Sequence, residues 1–202
     1  MMEPIILAST SPQRQEFLRL LGLPFSCISP PIDENYDSGA EPESVAKELA
    51  IRKVKSIVEM LGKKSPPPSP FSLWVCGADT LISMGGKIYG KPMDRKDAEQ
   101  MLMALEGRDH EVITAVALYN GRAKTMDCRS VISTISFAPM IRGEIEWYLD
   151  SGEWKDAAGS YKIQGLASCF ITAIKGSYSS IVGLPLREFY VMLKDNGYQF
   201  GG

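Results

Sequence analysis

ESVAKELAIRKVKSIVEML, residues 43–61, and LWVCGAD, residues 73–79, decide the fold between them. In the first, Val45, Ala46, Leu49, Ala50, Val54, Ile57 and Leu61 recur at the spacing of a helix with one apolar face, and Gly62 ends the run. The second is a short apolar run that reads as a central strand ending at Asp79. Lys53, four residues after Leu49 and four before Ile57, falls inside the apolar stripe, whereas Lys47, Lys55 and Glu59 lie off it. An inward lysine must snorkel to solvent or find an anion, because burying an unpaired ammonium costs several kcal/mol or forces it neutral. Both outcomes are open from spacing alone, and a phosphate is the sharper of the two. Between helix and strand, Lys63 to Pro70 (KKSPPPSP) has the composition of a linker, but an apolar strand follows, so it reads as a loop within one folded unit.

Nearer the amino terminus, Pro4 to Ala8 reads as a buried strand. Ser11-Pro12 supplies an N-cap and a proline at the first helical position, so a helix is expected to Leu21, with Gly22 closing it. Phe25 to Ile28 reads as a second short strand, and the acidic, turn-rich segment Pro30 to Pro42 as an exposed loop. Gly85-Gly86 between Leu81-Ile82 and Ile88-Tyr89 signals a hairpin, and Asp94 caps a helix to Leu105. Strands are expected at Glu111 to Tyr119 and Arg129 to Phe137, and a helix at Arg142 to Leu149 before Gly152. A strand at Ser168 to Ile174 and a helix at Leu186 to Lys194 close the chain, and no repeat of fixed period appears. Helices interspersed with strands, some joined by hairpins, give an α/β fold with a mixed sheet, formed by residues 1–202 as a single domain.

Composition narrows the functions. A chain of 202 residues can bury a sizeable core without disulfides. Its 22 basic and 24 acidic residues leave a net charge of −2, which gives no electrostatic footprint for nucleic acid or an anionic membrane; any anionic ligand must be held by local groups. The apolar run Pro4 to Ala8 is too short for a signal core or a membrane span and follows Glu3 rather than a basic segment, which points to a cytoplasmic protein. Cys27, Cys76, Cys128 and Cys169 lie in or beside strand-like stretches and read as reduced core cysteines. The chain has no C-x-x-C pair and one histidine, His110, which argues against a tetrahedral zinc site; without a G-x-S-x-G elbow it also argues against a Ser-His-Asp hydrolase. Carboxylates and lysines are left to carry any chemistry.

Besides Lys53, three features could do so. Ser9-Thr10-Ser11-Pro12-Gln13-Arg14 joins a strand to a helix, where backbone N–H groups and hydroxyls can bind phosphate and Arg14 adds charge; an ordinary capped helix entrance has the same form. Asp79, in Gly77-Ala78-Asp79-Thr80, could hold a divalent cation or take a proton from water, or serve as a turn residue. Gly85, Gly90 and Lys91 match G-x-x-x-x-G-K, the start of a P-loop, but Pro92 stands where a Ser or Thr must hold magnesium and Lys87-Ile88-Tyr89 alternates like a strand. The kinase or ATPase reading is therefore rejected, and Lys91 is kept as a candidate phosphate contact.

These pieces fall in one ordered series. It comprises Leu7-Ala8-Ser9-Thr10-Ser11-Pro12 with Arg14, then Asp33-Glu34, Lys53, Gly77-Ala78-Asp79-Thr80 and Gly90-Lys91-Pro92. Leu105 with Gly107 and His110, Ala158-Gly159-Ser160-Tyr161, Ile163-Gln164-Gly165, and Gly176-Ser177-Tyr178 leading to Val182-Gly183-Leu184-Pro185 complete it. The series resembles the Maf family of nucleotide pyrophosphatases over nearly the whole chain; each piece is weak, and their order is highly specific. The resemblance implies an elongated mixed-sheet fold related to inosine triphosphate pyrophosphatases, with two lobes flanking a cleft and usually a homodimer. It implies hydrolysis of a nucleoside triphosphate to the monophosphate and pyrophosphate with a divalent cation, Mg²⁺ or Mn²⁺. It also implies Asp79 as general base, Ser9, Arg14, Lys53 and Lys91 as phosphate-binding groups, and Glu34 with Asp79 at the metal.

Base preference follows from three positions. Family members that look like dTTP/UTP pyrophosphatases carry Arg where this chain has Gln13, and Thr and Gln where it has Thr80 and Gln164, so two of three match. The subgroup acting on 7-methyl-GTP tends to have an aromatic residue at the first position and acidic or amide substitutions at the others, which this chain lacks. Gln13 fits neither pattern and removes one cation. The resemblance thus implies a dTTP/UTP-type enzyme; the alternatives are a 7-methyl-GTP pyrophosphatase and a nucleotide-binding regulator of septum formation, with which family members are associated.

Overall fold

The computed structural model describes residues 2–37, 39–63 and 73–201; the proline-rich stretch around Pro67, expected to be a loop, lies outside the described residues. The first half of the chain alternates strand and helix: β1 (Ile5–Leu7), α1 (Pro12–Leu20), β2 (Phe25–Cys27), α2 (Pro42–Gly62) and β3 (Trp74–Met84). There follow β4 (Lys87–Tyr89), α3 (Arg95–Leu105), β5 (Asp109–Asn120), β6 (Thr125–Phe137) and α4 (Arg142–Asp150). Short 3₁₀ turns at Ala158–Ser160 and Leu166–Phe170 precede β7 (Ile171–Lys175), α5 (Tyr178–Val182) and α6 (Leu186–Asp195). The sheet has the order β2-β1-β3-β5-β6-β7, with β4 paired to β3. β1 runs parallel to β2 and β3, while β3–β4 and β6–β7 are antiparallel, so the sheet is mixed as the sequence predicts. Among the described residues no helix is long and apolar enough to cross a membrane.

The described residues form two compact units, interleaved in sequence. One comprises residues 1–79, 114–130 and 183–202, the other 80–113 and 131–182. Each has its own core. In the first, Ile5 and Leu7 lie opposite Trp74 and Cys76 in the β1–β3 register and pack with Ala78, Leu18, Phe189, Met192 and Leu193. Gly77 lies between those inward residues and faces α2: a Cβ there would stand 3.0 Å from Val54 Cγ2 and 3.4 Å from the Ala50 carbonyl oxygen. Helices therefore cover both faces of this part of β3, which is why residues 73–78 read as an almost unbroken apolar run. In the second unit, Leu102, Leu105, Ile135, Phe137, Tyr148 and Tyr161 share a core.

Three expectations are corrected. β3 does not end at Asp79 but continues to Met84, because Thr80 to Met84 is β-prone and pairs with β4 (Ile82 with Tyr89, Met84 with Lys87). The expected hairpin is real, and Gly85 and Gly86, at φ +59° and +78°, supply its tight turn. Residues 168–170 lie in a 3₁₀ turn, so β7 starts at Ile171. Of the four free cysteines only Cys76, on a strand covered on both faces, is buried. Cys27, on the edge strand β2, and Cys169, in the 3₁₀ turn, are exposed, and Cys128 is half-buried.

His110 is buried in the second unit, edge-on to the Phe137 and Tyr161 rings, with Nε2 hydrogen-bonded to the Tyr161 hydroxyl at 2.7 Å. Burial disfavours its charged form and lowers its pKa from 6.5 to about 4. Between those values the unfolded chain binds a proton that the folded chain does not, so stability falls as pH drops from 6.5 towards 4. Urea unfolding at pH 7 and pH 4.5 should show His110→Gln losing about 2 kcal/mol less than the unsubstituted protein over that interval; equal losses would contradict this.

Candidate active site

Lys53 is 6% exposed, and its ammonium does not snorkel. Nζ donates to Asp79 Oδ1 at 2.5 Å and pairs with Glu34 Oε1 at 2.7 Å. The anion demanded by an inward lysine is thus a pair of carboxylates. Asp79 is also 6% exposed, inside β3, whereas the Glu34 side chain, in the irregular segment between β2 and α2, is 49% exposed. Gly77 brings helix and strand together: a Cβ at 77 would lie 3.4 Å from Lys53 Cβ, and strand alternation turns Asp79 to the same face as Gly77. The missing side chain at 77 lets Lys53 lie against the strand two residues before its partner.

The entrance to α1 adds a second cation. Ser11 caps the helix, its Oγ accepting from Arg14 N at 3.5 Å, with Pro12 in the first turn. Ser9 Oγ accepts from Ser11 N at 3.1 Å and from Arg14 Nη1 at 3.3 Å, and Arg14 Nε donates to the Gly183 carbonyl at 2.8 Å. Burial lowers the pKa of Arg14, while the charges of Asp79 and Glu34 oppose that shift. Arg14 therefore feels the same two carboxylates that hold Lys53. Gln13 brings no charge; its Oε1 accepts from Ser11 Oγ at 3.1 Å.

The structure brings Ser9, Arg14, Glu34, Lys53 and Asp79 together within the first unit, and Thr80, Lys91 and Gln164 belong to the second. Thr80 is half-buried in β3. Lys91 is exposed just after β4, next to Gly90, whose carbonyl accepts from Gly159 N at 3.0 Å. Gly159, at φ +62°, lies against Ile82: a Cβ there would stand 2.5 Å from Ile82 Cδ1, which would have to shift. Gln164 is exposed between the two 3₁₀ turns, and the backbone just after it is held by Glu153, whose Oε2 accepts from Leu166 N at 2.7 Å.

Arg52 was not anticipated. Its Nη1 donates to the Asp33 carbonyl at 3.1 Å and its Nη2 to the Asn35 carbonyl at 2.9 Å. In sequence it is a charged residue four positions after Glu48, with which it does pair at 3.1 Å, and nothing in that spacing tells of a reach to residues 33–35.

Two carboxylate oxygens converging on one cationic atom are hard donors, and they suit a cation such as Mg²⁺ that takes one or two carboxylates, phosphate oxygens and water. Among the described residues no three or more His, Cys, Asp or Glu side chains gather as a complete protein cage. The pair of side chains that matters to stability is Lys53 with Asp79, each 8% exposed. Lys53→Met leaves a buried carboxylate without its ammonium and should cost about 3 kcal/mol in urea unfolding, and adding Asp79→Leu should recover most of it. No loss in the single variant would show that the pair is not coupled.

Residues 4–196 match the family described as Maf-like protein. A dTTP/UTP pyrophosphatase of Symbiobacterium thermophilum is 40% identical over 197 residues, covering 98% of this chain and 96% of that protein. One from Hahella chejuensis is 42% identical over 193 residues, covering 96% and 92%. The solved structure of the Staphylococcus aureus Ham1 protein is similar with a TM-score of 0.46 at 16% identity, over 67% of this chain and 72% of that one; the fold class rests on the sheet itself.

Proposed function

The chain belongs to the Maf family, and we propose from that premise that it is a nucleoside triphosphate pyrophosphatase acting on dTTP and UTP. The relatives' names support the substrate class, and Thr80 and Gln164 support the base preference. The observation that carries the chemistry is the ammonium of Lys53 held between Asp79 and Glu34, with Arg14 in the field of both carboxylates. Two cations and two carboxylates nearly cancel, so these groups alone do not offset a triphosphate. A divalent cation held by Glu34 and Asp79 would supply the missing positive charge and polarise the phosphate oxygens.

In the proposed reaction Arg14 and Lys53 bind the polyphosphate, and Lys53 turns its ammonium from the carboxylates towards the anion. Ser9 Oγ already accepts two hydrogen bonds, which leaves its own O–H to donate to a phosphate oxygen. Asp79, released from Lys53, orients a water and accepts its proton as the water oxygen bonds to the α-phosphorus. The bond from the α-phosphorus to the bridging oxygen breaks, and its electron pair leaves with pyrophosphate, whose developing charge Lys53 and Arg14 stabilise. Lys91 is assigned to a further phosphate contact, and Thr80, Gln164 and Gln13 to base selection, on the family resemblance. The same resemblance supports a cytoplasmic homodimer.

Purified protein mixed with dTTP, UTP, the other common triphosphates and 7-methyl-GTP, with Mg²⁺ or Mn²⁺, should release pyrophosphate fastest from dTTP and UTP. Asp79→Asn should lower kcat by about a hundredfold or more while nucleotide still binds. If no triphosphate yields pyrophosphate the enzyme reading fails, and a preference for 7-methyl-GTP would reassign the substrate.

A further inference from the structure

Glu34 is the most exposed member of the charged cluster, its side chain half-exposed on a segment with no regular structure. A carboxylate so placed keeps a fixed position best when its backbone is held as well. Arg52, immediately before Lys53 on α2, does the holding: its two terminal nitrogens donate to the carbonyls of Asp33 and Asn35, one on each side of Glu34. The turn is closed from within, where Asn35 N and Nδ2 donate to Asp33 Oδ1 and Oδ2 at 3.0 and 2.6 Å. Glu48, one helical turn back, fixes the guanidinium itself at 3.1 Å. One stretch of α2 thus grips this segment twice, its backbone through Arg52 and its carboxylate through Lys53.

We propose that Arg52 is a positioning residue for the pyrophosphatase reaction: by clamping the carbonyls that flank Glu34 it sets where the second carboxylate of the metal site stands. The role rests on the reaction proposed above, and Arg52 touches neither substrate nor reacting atoms. The planar guanidinium fork spans two carbonyls at once, which the single ammonium of a lysine does not, so charge alone should not replace it.

The test compares the unsubstituted protein with Arg52→Gln, Arg52→Lys, Glu34→Gln and the Arg52→Gln/Glu34→Gln double variant. Mn²⁺ binding is read by electron paramagnetic resonance of the free ion, in the presence of a dTTP analogue with a non-hydrolysable α,β bridge. Pyrophosphate release from dTTP is measured in parallel. Arg52→Gln should weaken Mn²⁺ binding about tenfold or more, as loss of a group that orients a metal ligand does. Arg52→Lys should fall between it and the unsubstituted protein, and the double variant should bind no more weakly than Glu34→Gln alone. Mn²⁺ binding unchanged in Arg52→Gln, or a double variant that loses the product of the two single losses, would overturn the positioning role. Should Arg52→Gln fold poorly, Arg52→Lys, which keeps the charge and most of the stem, decides by the same comparison. Absence of pyrophosphate release from the unsubstituted protein would overturn the pyrophosphatase reading instead.

Discussion

An ammonium held between two carboxylates is the interaction on which the site depends. Buried ion pairs form only when partners and backbone are placed for them, because desolvation can cost as much as the attraction returns. Here the placement comes from β3 and α2. Gly77 removes the side chain that would keep them apart, and Lys53 and Asp79 meet beside that close approach. In the proposed reaction stability and chemistry rest on the same contact: the lysine that pairs with Asp79 is the group a polyphosphate would draw away, exposing the carboxylate as that charge arrives.

The surrounding elements follow from the same need. The parallel arrangement of β1, β2 and β3 requires crossover helices, and α1 begins just after β1, where Ser11 caps it and Arg14 projects from its first turn. Arg14 is held at one end by the Gly183 carbonyl and near the other by Ser9, so its guanidinium is fixed. Residues from positions 9, 14, 34, 53, 79 and 183 thus belong to one compact unit, drawn from two separated stretches of chain.

Much of this was legible in the residues, and the exceptions have physical causes. The helical stripe of residues 43–61 located α2 and singled out Lys53 as inward, and the structure bears out its burial. The stripe could not name the partner, because periodicity tells which face a residue occupies and not which distant segment meets it. Asp79 was expected at a strand end since a carboxylate after an apolar run usually marks one; pairing of residues 82–84 with β4 carries the strand past it. Strand-like surroundings suggested four core cysteines, but an edge strand and a 3₁₀ turn leave two of them in solvent. Arg52 was illegible for a simpler reason: its hydrogen bonds go to backbone carbonyls, and any residues at 33 and 35 would present the same groups.

Asp79 is proposed to direct water to the α-phosphorus, and the position of bond formation tests it. Hydrolysis of dTTP in oxygen-18 water, followed by mass spectrometry of both products, reads that position directly. Attack at the α-phosphorus places the heavy oxygen in the nucleoside monophosphate and none in pyrophosphate. Heavy oxygen in the pyrophosphate, or release of inorganic phosphate in its place, would contradict it.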